Sequence, residues 1–181
     1  ATVPETGVGV LDKAMVVMRA VSDAPRGLAE LQASTGLPRA TAHRLASALE
    51  AHGLLRRDAS GRFELGHGLV ALGQLSANRF PLVDVARPVA TALRDATGEA
   101  VQVFVREGSQ RRCVLSLESA HGLRWIVPEG SLLPIEVGSS GRLLEGERTR
   151  NGWMQSVGER EAGVASVSAP IRTADGAIIG A

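Results

Sequence analysis

GLAELQASTGLPRATAHRLASALEAHGLLRRDASGRFEL, running from Gly27 to Leu65, is the stretch that decides the fold of this chain. Leu28, Leu31 and Thr35 fall three and four residues apart, the spacing that places them on one face of a short amphipathic helix. Gly36 supplies the positive φ that reverses the chain, and Pro38 suits the first turn of a second helix, where its missing N–H costs nothing. That helix is predicted from about Pro38 to His52, with Ala42, Leu45, Ala46 and Leu49 on its buried face and Gly53 ending it. Arg39, Ala40, Thr41, His43 and Arg44 then lie on or near the outer side of its first two turns, where a recognition helix meets bases and phosphates.

Working outward, Leu54 to Arg57 and Arg62 to Leu65 read as two short strands about the glycine-bearing turn Asp58-Ala59-Ser60-Gly61. This hairpin is a wing: Arg57 and Arg62 are placed to grip phosphates, and Leu55, Phe63 and Leu65 to close a small core. Upstream, Leu11, Ala14, Met15, Met18 and Val21 recur at helical spacing and supply the first helix of the bundle. The whole reads as a winged helix-turn-helix over residues 1–66, a module that lays one helix in the DNA major groove. Charge supports this only locally. From Leu37 to Gly66 five arginines (Arg39, Arg44, Arg56, Arg57, Arg62) face Glu50, Asp58 and Glu64, a net of +2 on the elements that would meet DNA. The competing class is a helix-turn-helix adaptor that binds protein only; retention on promoter DNA that weakens with salt separates the two.

The chain has 181 residues, 44% of them hydrophobic, which is enough for this small domain and one further domain of about a hundred residues. No apolar run approaches the roughly 18 residues of a membrane span. The sequence shows no signal-peptide pattern, and Cys113 is the one cysteine, so no intrachain disulfide can form. A cytoplasmic protein is the expectation. Leu69, Leu72, Gly73 and Leu75 mark a linker helix (residues 67–80) whose face suits either a second subunit or packing onto the first helix. A long helix is predicted from Leu82 to Thr97, with Val85, Val89, Leu93 and Ala96 on one face and Gly98 ending it. From there the period changes to that of strands: Ala100 to Val105, Arg112 to Glu118, Leu123 to Val127, Ala165 to Ile171 and Ala177 to Ala181. One long helix on a mainly antiparallel sheet makes residues 81–181 an α+β, sensor-like domain.

Gly9 to Ala14, Thr35 to Leu45, Gly61 to Gly66, Thr97-Gly98-Glu99, Gly130 to Pro134, Gly138-Ser139-Ser140-Gly141, Gly152 to Glu161 and Gly163 to Pro170 together resemble the IclR family of bacterial transcription regulators. More narrowly, the chain is similar to the actinobacterial branch that controls leucine and other amino-acid biosynthesis genes; a regulator of an aromatic or organic-acid catabolic operon is the alternative. The resemblance implies a winged helix-turn-helix, a linker helix and a GAF-like effector domain. It also implies a homodimer or tetramer, operator DNA as partner, and repression or activation as its action. It further implies several tens of residues between Leu144 and Gly152, where this chain has Glu145 to Asn151, and a Ser-bearing strand and a helix beyond Ala181. The effector domain is expected to be incomplete to that extent.

On the family pattern the effector pocket is framed by Leu133, Ile135, the Gly138, Ser139, Ser140 and Gly141 turn, and the strand carrying Ser166 and Ser168. Glycines let backbone N–H groups approach a carboxylate, serines offer adaptable hydrogen bonds, and Leu133, Ile135 and Trp125 supply an apolar wall. The plainer alternative makes Gly138 to Gly141 a turn entering a helix and the serines one side of an ordinary strand. No catalytic constellation stands out. Cys113 sits between apolar strand residues as a small buried hydrophobe, Gly138-Ser139-Ser140-Gly141 lacks the spacing of a nucleophile elbow, and the histidines at 43, 52, 67 and 121 show no metal-ligand spacing. Neither an enzyme nor a cofactor or metal site is expected.

Overall fold

The computed structural model describes residues 6–79, 81–119, 121 and 127–181. The chain folds as two units, Ala1–Phe80 and Pro81–Ala181.

The first unit contains helices α1 (Gly9–Asp23), α2 (Leu28–Thr35) and α3 (Arg39–Ala51), the strands β1 (Leu55–Arg57) and β2 (Phe63–Leu65), and helix α4 (His67–Arg79). Glu30 starts α2 by accepting a hydrogen bond from Gly27 N–H at 2.7 Å, and Gly36 ends it with φ 68°, a left-handed conformation that glycine adopts without strain. The core consists of Val17, Ala20 and Val21 of α1, Leu31 of α2, Leu45 and Ala46 of α3, and Leu55 and Phe63 of the hairpin. Val17, Leu31, Leu55 and Phe63 are at most 1% exposed. Each such side chain contributes roughly 1.5–3 kcal/mol by leaving water. The hairpin pairs Leu55 with Leu65, Arg56 with Glu64 and Arg57 with Phe63, and Arg26 bridges Phe63 on the other side. Gly66 packs directly on the backbone of Gly53: a Cβ there would lie 2.2 Å from Gly53 O, so no other residue fits.

Three faces expected from periodicity are corrected. On α1 the buried stripe is Ala14, Val17, Met18, Ala20 and Val21, whereas Leu11 and Met15 point outward. Leu65 is also exposed, because only the first residue of β2, Phe63, points into the bundle. On α4 no residue is buried, and Val70, Leu72 and Leu75 stand open, so packing onto the first helix does not account for its apolar face.

The second unit contains α5 (Leu82–Thr97), β3 (Val101–Glu107), β4 (Gln110–Leu117), β5 (Leu132–Pro134), α6 (Ser139–Glu145), β6 (Met154–Val157), β7 (Ala165–Ser168), β8 (Ile171–Arg172) and β9 (Ile178–Gly180). Strands β3, β4 and β5 form an antiparallel sheet with β4 in the middle. Beyond β3, Phe104 and Ala181 exchange both backbone hydrogen bonds, at 2.8 and 3.0 Å, so the β8-β9 hairpin continues the sheet. Strands β6 and β7 pair separately, Ser156 opposite Ser166 and Met154 opposite Ser168. A register shift between Val103 and Phe104 divides the interior. Val103 and Leu115 pack with Ala90 of α5, while Phe104 and Cys113 pack with Leu143 and Leu144 of α6 and with Ile135 and Met154.

The range of α5 matches its prediction, but its face does not. Leu82, Val83, Ala86 and Ala90 meet the sheet, and Val85, Val89 and Leu93 are exposed. The predicted Ala165 to Ile171 strand is two strands interrupted at Ala169 and Pro170, where proline removes a ladder donor. Of the predicted Leu123 to Val127 strand only Val127 lies among the described residues.

Candidate nucleic-acid interface and effector site

Helix α3 buries Ala42, Leu45 and Ala46 and so turns its other side outward. Arg39, Ala40, His43 and Arg44 are exposed and Thr41 is half-buried, which places all five on the accessible first turns of the helix. Among the described residues neither Arg39 nor Arg44 forms an ion pair, so both guanidinium groups present all their donors to whatever approaches.

The wing arginines are arranged differently. Arg57 lies 4.0 Å over the Phe63 ring, donates to Gly61 O at 3.0 Å and pairs with Glu50 of α3 at 3.3 Å. Arg62 pairs with Asp58 at 2.9 Å, and Arg56, which the sequence reading did not single out, pairs with Glu64 at 2.5 Å. Such exposed pairs are worth at most about 1 kcal/mol, so they orient the arginines without preventing exchange onto phosphate. Asp58 also accepts hydrogen bonds from Ser60 Oγ at 2.7 Å and from the Ser60 and Arg62 N–H groups at 2.9 Å. The Ser60 hydroxyl and then these other donors hold its carboxyl well below the usual range.

In the second unit, Ser139, Ser166 and Ser168 come together although nearly thirty residues apart in sequence: Ser139 Oγ lies 2.9 Å from Ser166 Oγ and 2.7 Å from Ser168 Oγ. Ser156 joins them, 2.9 Å from Ser166 Oγ, and accepts a hydrogen bond from Ser139 N–H at 3.2 Å. The Gly138 N–H donates to Glu159 Oε2 at 3.0 Å. Two of the backbone donors expected to meet a ligand are thus satisfied from within the chain. Ile135 is buried in the hydrophobic cluster with Phe104, Leu143 and Met154, Leu133 packs against that hydrophobic cluster, and Ser140 and Gly141 are buried in the first turn of α6. A Cβ on Gly141 would lie 2.0 Å from Ile135 O, so this glycine is required by close packing. Trp125 lies outside the described residues.

Arg111 is a buried charge beside Gly138 and Gly141 that sequence reasoning missed. It is 3% exposed, and its Nη1 donates to Val137 O at 2.6 Å and also to Pro134 O. The signal was present in its position, two residues before buried Cys113 on the same strand. Burial, aided by the positive charge of Arg160, pushes the Arg111 guanidinium below its ordinary value, and Glu136 opposes this. Burial pushes the Cys113 thiol up to about 11, as befits a packing residue rather than a nucleophile.

Residues 10–59 match the IclR helix-turn-helix domain. The first unit is therefore similar to the IclR helix-turn-helix domain from α1 through the turn of the hairpin. The chain is 36% identical over 117 residues to the HTH-type transcriptional regulator KipR of Bacillus subtilis, covering 65% of this chain and 47% of KipR. It is 26% identical over 148 residues to the transcriptional repressor IclR of Escherichia coli, covering 78% of this chain and 54% of that protein. The chain spans about half the length of these curated relatives, all of them named as regulators and not as enzymes. Among solved structures it resembles an IclR homologue from Microbacterium hydrocarbonoxydans complexed with 4-hydroxybenzoate. The TM-score there is 0.80 at 20% identity, over 94% of this chain and 86% of that one. The IclR protein of Thermotoga maritima gives a TM-score of 0.71 at 18% identity, over 95% and 85% of the two chains. These likenesses show the fold: a helix-turn-helix unit followed by helices and antiparallel strands.

Proposed function

We propose that this chain is an IclR-family transcription regulator that binds double-stranded operator DNA and responds to a small carboxylate effector. The observation that carries the DNA reading is the exposed first half of α3, with Arg39, His43 and Arg44 clear of ion pairs on a bundle that matches the IclR helix-turn-helix domain. Arg57 and Arg62 flank it as phosphate contacts, and α4, apolar and uncovered, supplies the face of a homodimer or tetramer. Repression is the sign favoured by the Escherichia coli relative.

The effector site is placed at the serine cluster, with Ser139, Ser140, Ser166, Ser168, Gly138 and Gly141 as its polar side and Leu133 and Ile135 as its apolar wall. Two ligand classes compete. Leucine or its keto-acid precursor follows from the resemblance to regulators of amino-acid biosynthesis, and an aromatic acid from the 4-hydroxybenzoate held by the Microbacterium homologue. An effector acts only by the difference in its affinity for two conformations of the protein. Footprinting on the region upstream of the chain's own gene, with and without leucine, the keto acid and 4-hydroxybenzoate, tests both halves. No protected region at low salt refutes the DNA reading; protection that ignores every acid, with no heat in calorimetric titration, refutes the effector reading alone.

A further inference from the structure

Arg111 is the one buried charged side chain among the described residues of the second unit. A guanidinium has five N–H donors and no acceptor, and taking it out of water is costly unless those donors and the charge itself are met. At 3% exposure Arg111 spends Nη1 on the carbonyls of Val137 and Pro134, while Nε is buried with no hydrogen-bond partner. Among the described residues no carboxylate forms an ion pair with it, and the more distant charges of Arg160 and Glu136 act on it in opposite senses. The aromatic face of Phe104, 5.4 Å from the guanidinium carbon, offers only weak compensation.

Its position ties this charge to the serine cluster. A Cβ on Gly138 would stand 3.3 Å from Arg111 Nη2 and 3.9 Å from Ser156 Oγ, so guanidinium and hydroxyl approach the same glycine. A Cβ on Gly141 would lie 2.3 Å from Arg111 Nη1. The two glycines are what let the arginine lie against the first turn of α6, beside Ser139, whose hydroxyl touches Ser166 and Ser168. Hydroxyls that serve one another can also turn toward an anion, as each is both donor and acceptor.

We propose that Arg111 is the charged anchor of this site, selecting a small monoanionic carboxylate that the hydroxyls of Ser139, Ser156, Ser166 and Ser168 help to hold. The proposal rests on the effector-site reading above and adds to it the charge of the ligand and the residue that reads it. Neutral isosteres of the same shape are rejected, because they leave the buried guanidinium uncompensated.

The test uses isovalerate and 4-hydroxybenzoate, each against its own carboxamide, titrated calorimetrically into the full chain. The wild-type protein prefers the acid by about tenfold or more, the return expected from one charge-assisted hydrogen bond. Arg111→Gln removes that preference, and Arg111→Lys, which keeps the charge but not the fork, retains part of it. Because Nη1 also holds two loop carbonyls, melting curves establish that each variant is folded. If Arg111→Gln does not fold, Arg111→Lys and the wild-type acid-to-amide ratio decide. Equal binding of acid and amide by the wild-type protein, or an acid preference that survives Arg111→Gln, overturns the proposal and leaves the effector-site reading standing. Absence of binding by every acid removes that reading and the proposal with it.

Discussion

At the scale of single residues, exposure separates side chains that hold the fold from those available to a partner. Arg44 is exposed on α3 and forms no ion pair among the described residues. Arg44→Ala is therefore expected to weaken operator binding by about 1–3 kcal/mol, the usual worth of a base contact from arginine, with the melting temperature unchanged. Gel shift and calorimetry together decide it: unchanged affinity, or a lowered melting temperature, sinks the assignment. Asp58 is the opposite kind of residue, local and structural. Because the hydrogen bonds it accepts hold its folded pKa below the usual value, its stabilisation of the wing is complete above the ordinary carboxylate range. It is lost as pH falls through about 4 toward the depressed value. The melting-temperature gap between wild type and Asp58→Asn should be widest near neutrality and shrink in acid. A gap that stays constant from neutral pH to about pH 3 would show that the carboxylate plays no such part.

At the scale of elements, the wing carries its arginines together with their own counter-charges, and on the proposed reading it clamps phosphates. Arg62→Ala is expected to weaken specific and nonspecific DNA equally and to lower the salt slope by about one unit, with little effect on folding. Arg57→Ala should do the same and also destabilise the unit, since Arg57 covers Phe63 and reaches Glu50. Loss of sequence preference at an unchanged slope would mean that these arginines read bases. Helix α6 makes a sharper demand: Gly141→Ala drives a Cβ into Ile135 O and should cost about 3 kcal/mol by overpacking, measured by denaturant unfolding. These elements differ in how far they were legible from sequence. Residues Gly27 to Leu65 were readable because every signal there is local, namely the glycine turn, the proline start, the apolar spacing and the hairpin glycine. Helix α5 was readable in extent but not in orientation. Its residues Val85, Val89 and Leu93 repeat at helical spacing yet stay exposed, while Leu82, Val83, Ala86 and Ala90 meet the sheet; the rotation of the helix is set by its approach to the sheet, which periodicity does not encode. Strand β6 and the contribution of Ser156 went unread because its partner, β7, defines them only across the intervening turn. Arg111 was passed over because the strand was expected to start at Arg112, whereas β4 starts at Gln110, and an arginine is by default taken as solvated.

At the scale of the whole molecule, α4 of the first unit is the element on which the proposed assembly rests. It is thirteen residues long with no buried residue, yet Val70, Leu72 and Leu75 are apolar and 58–59% exposed. Leu72 and Leu75, three residues apart, share one face of the helix, and exposed apolar side chains so grouped mark an interaction surface. A helix-turn-helix reads one half-site, and pairing two copies lets a palindromic operator be read at half-sites about one helical turn apart. The expectation is a dimer in sedimentation equilibrium that Leu72→Glu with Leu75→Glu converts to a monomer. The charge is placed on residues that contribute nothing to the core, so the helical signal and the melting of each unit should persist. Operator affinity should fall far more than nonspecific affinity, because only the palindrome requires two recognition helices at once. A double variant that remains dimeric, or one that becomes monomeric while binding the full operator as tightly as before, would exclude α4 as the surface through which DNA recognition is coupled to assembly.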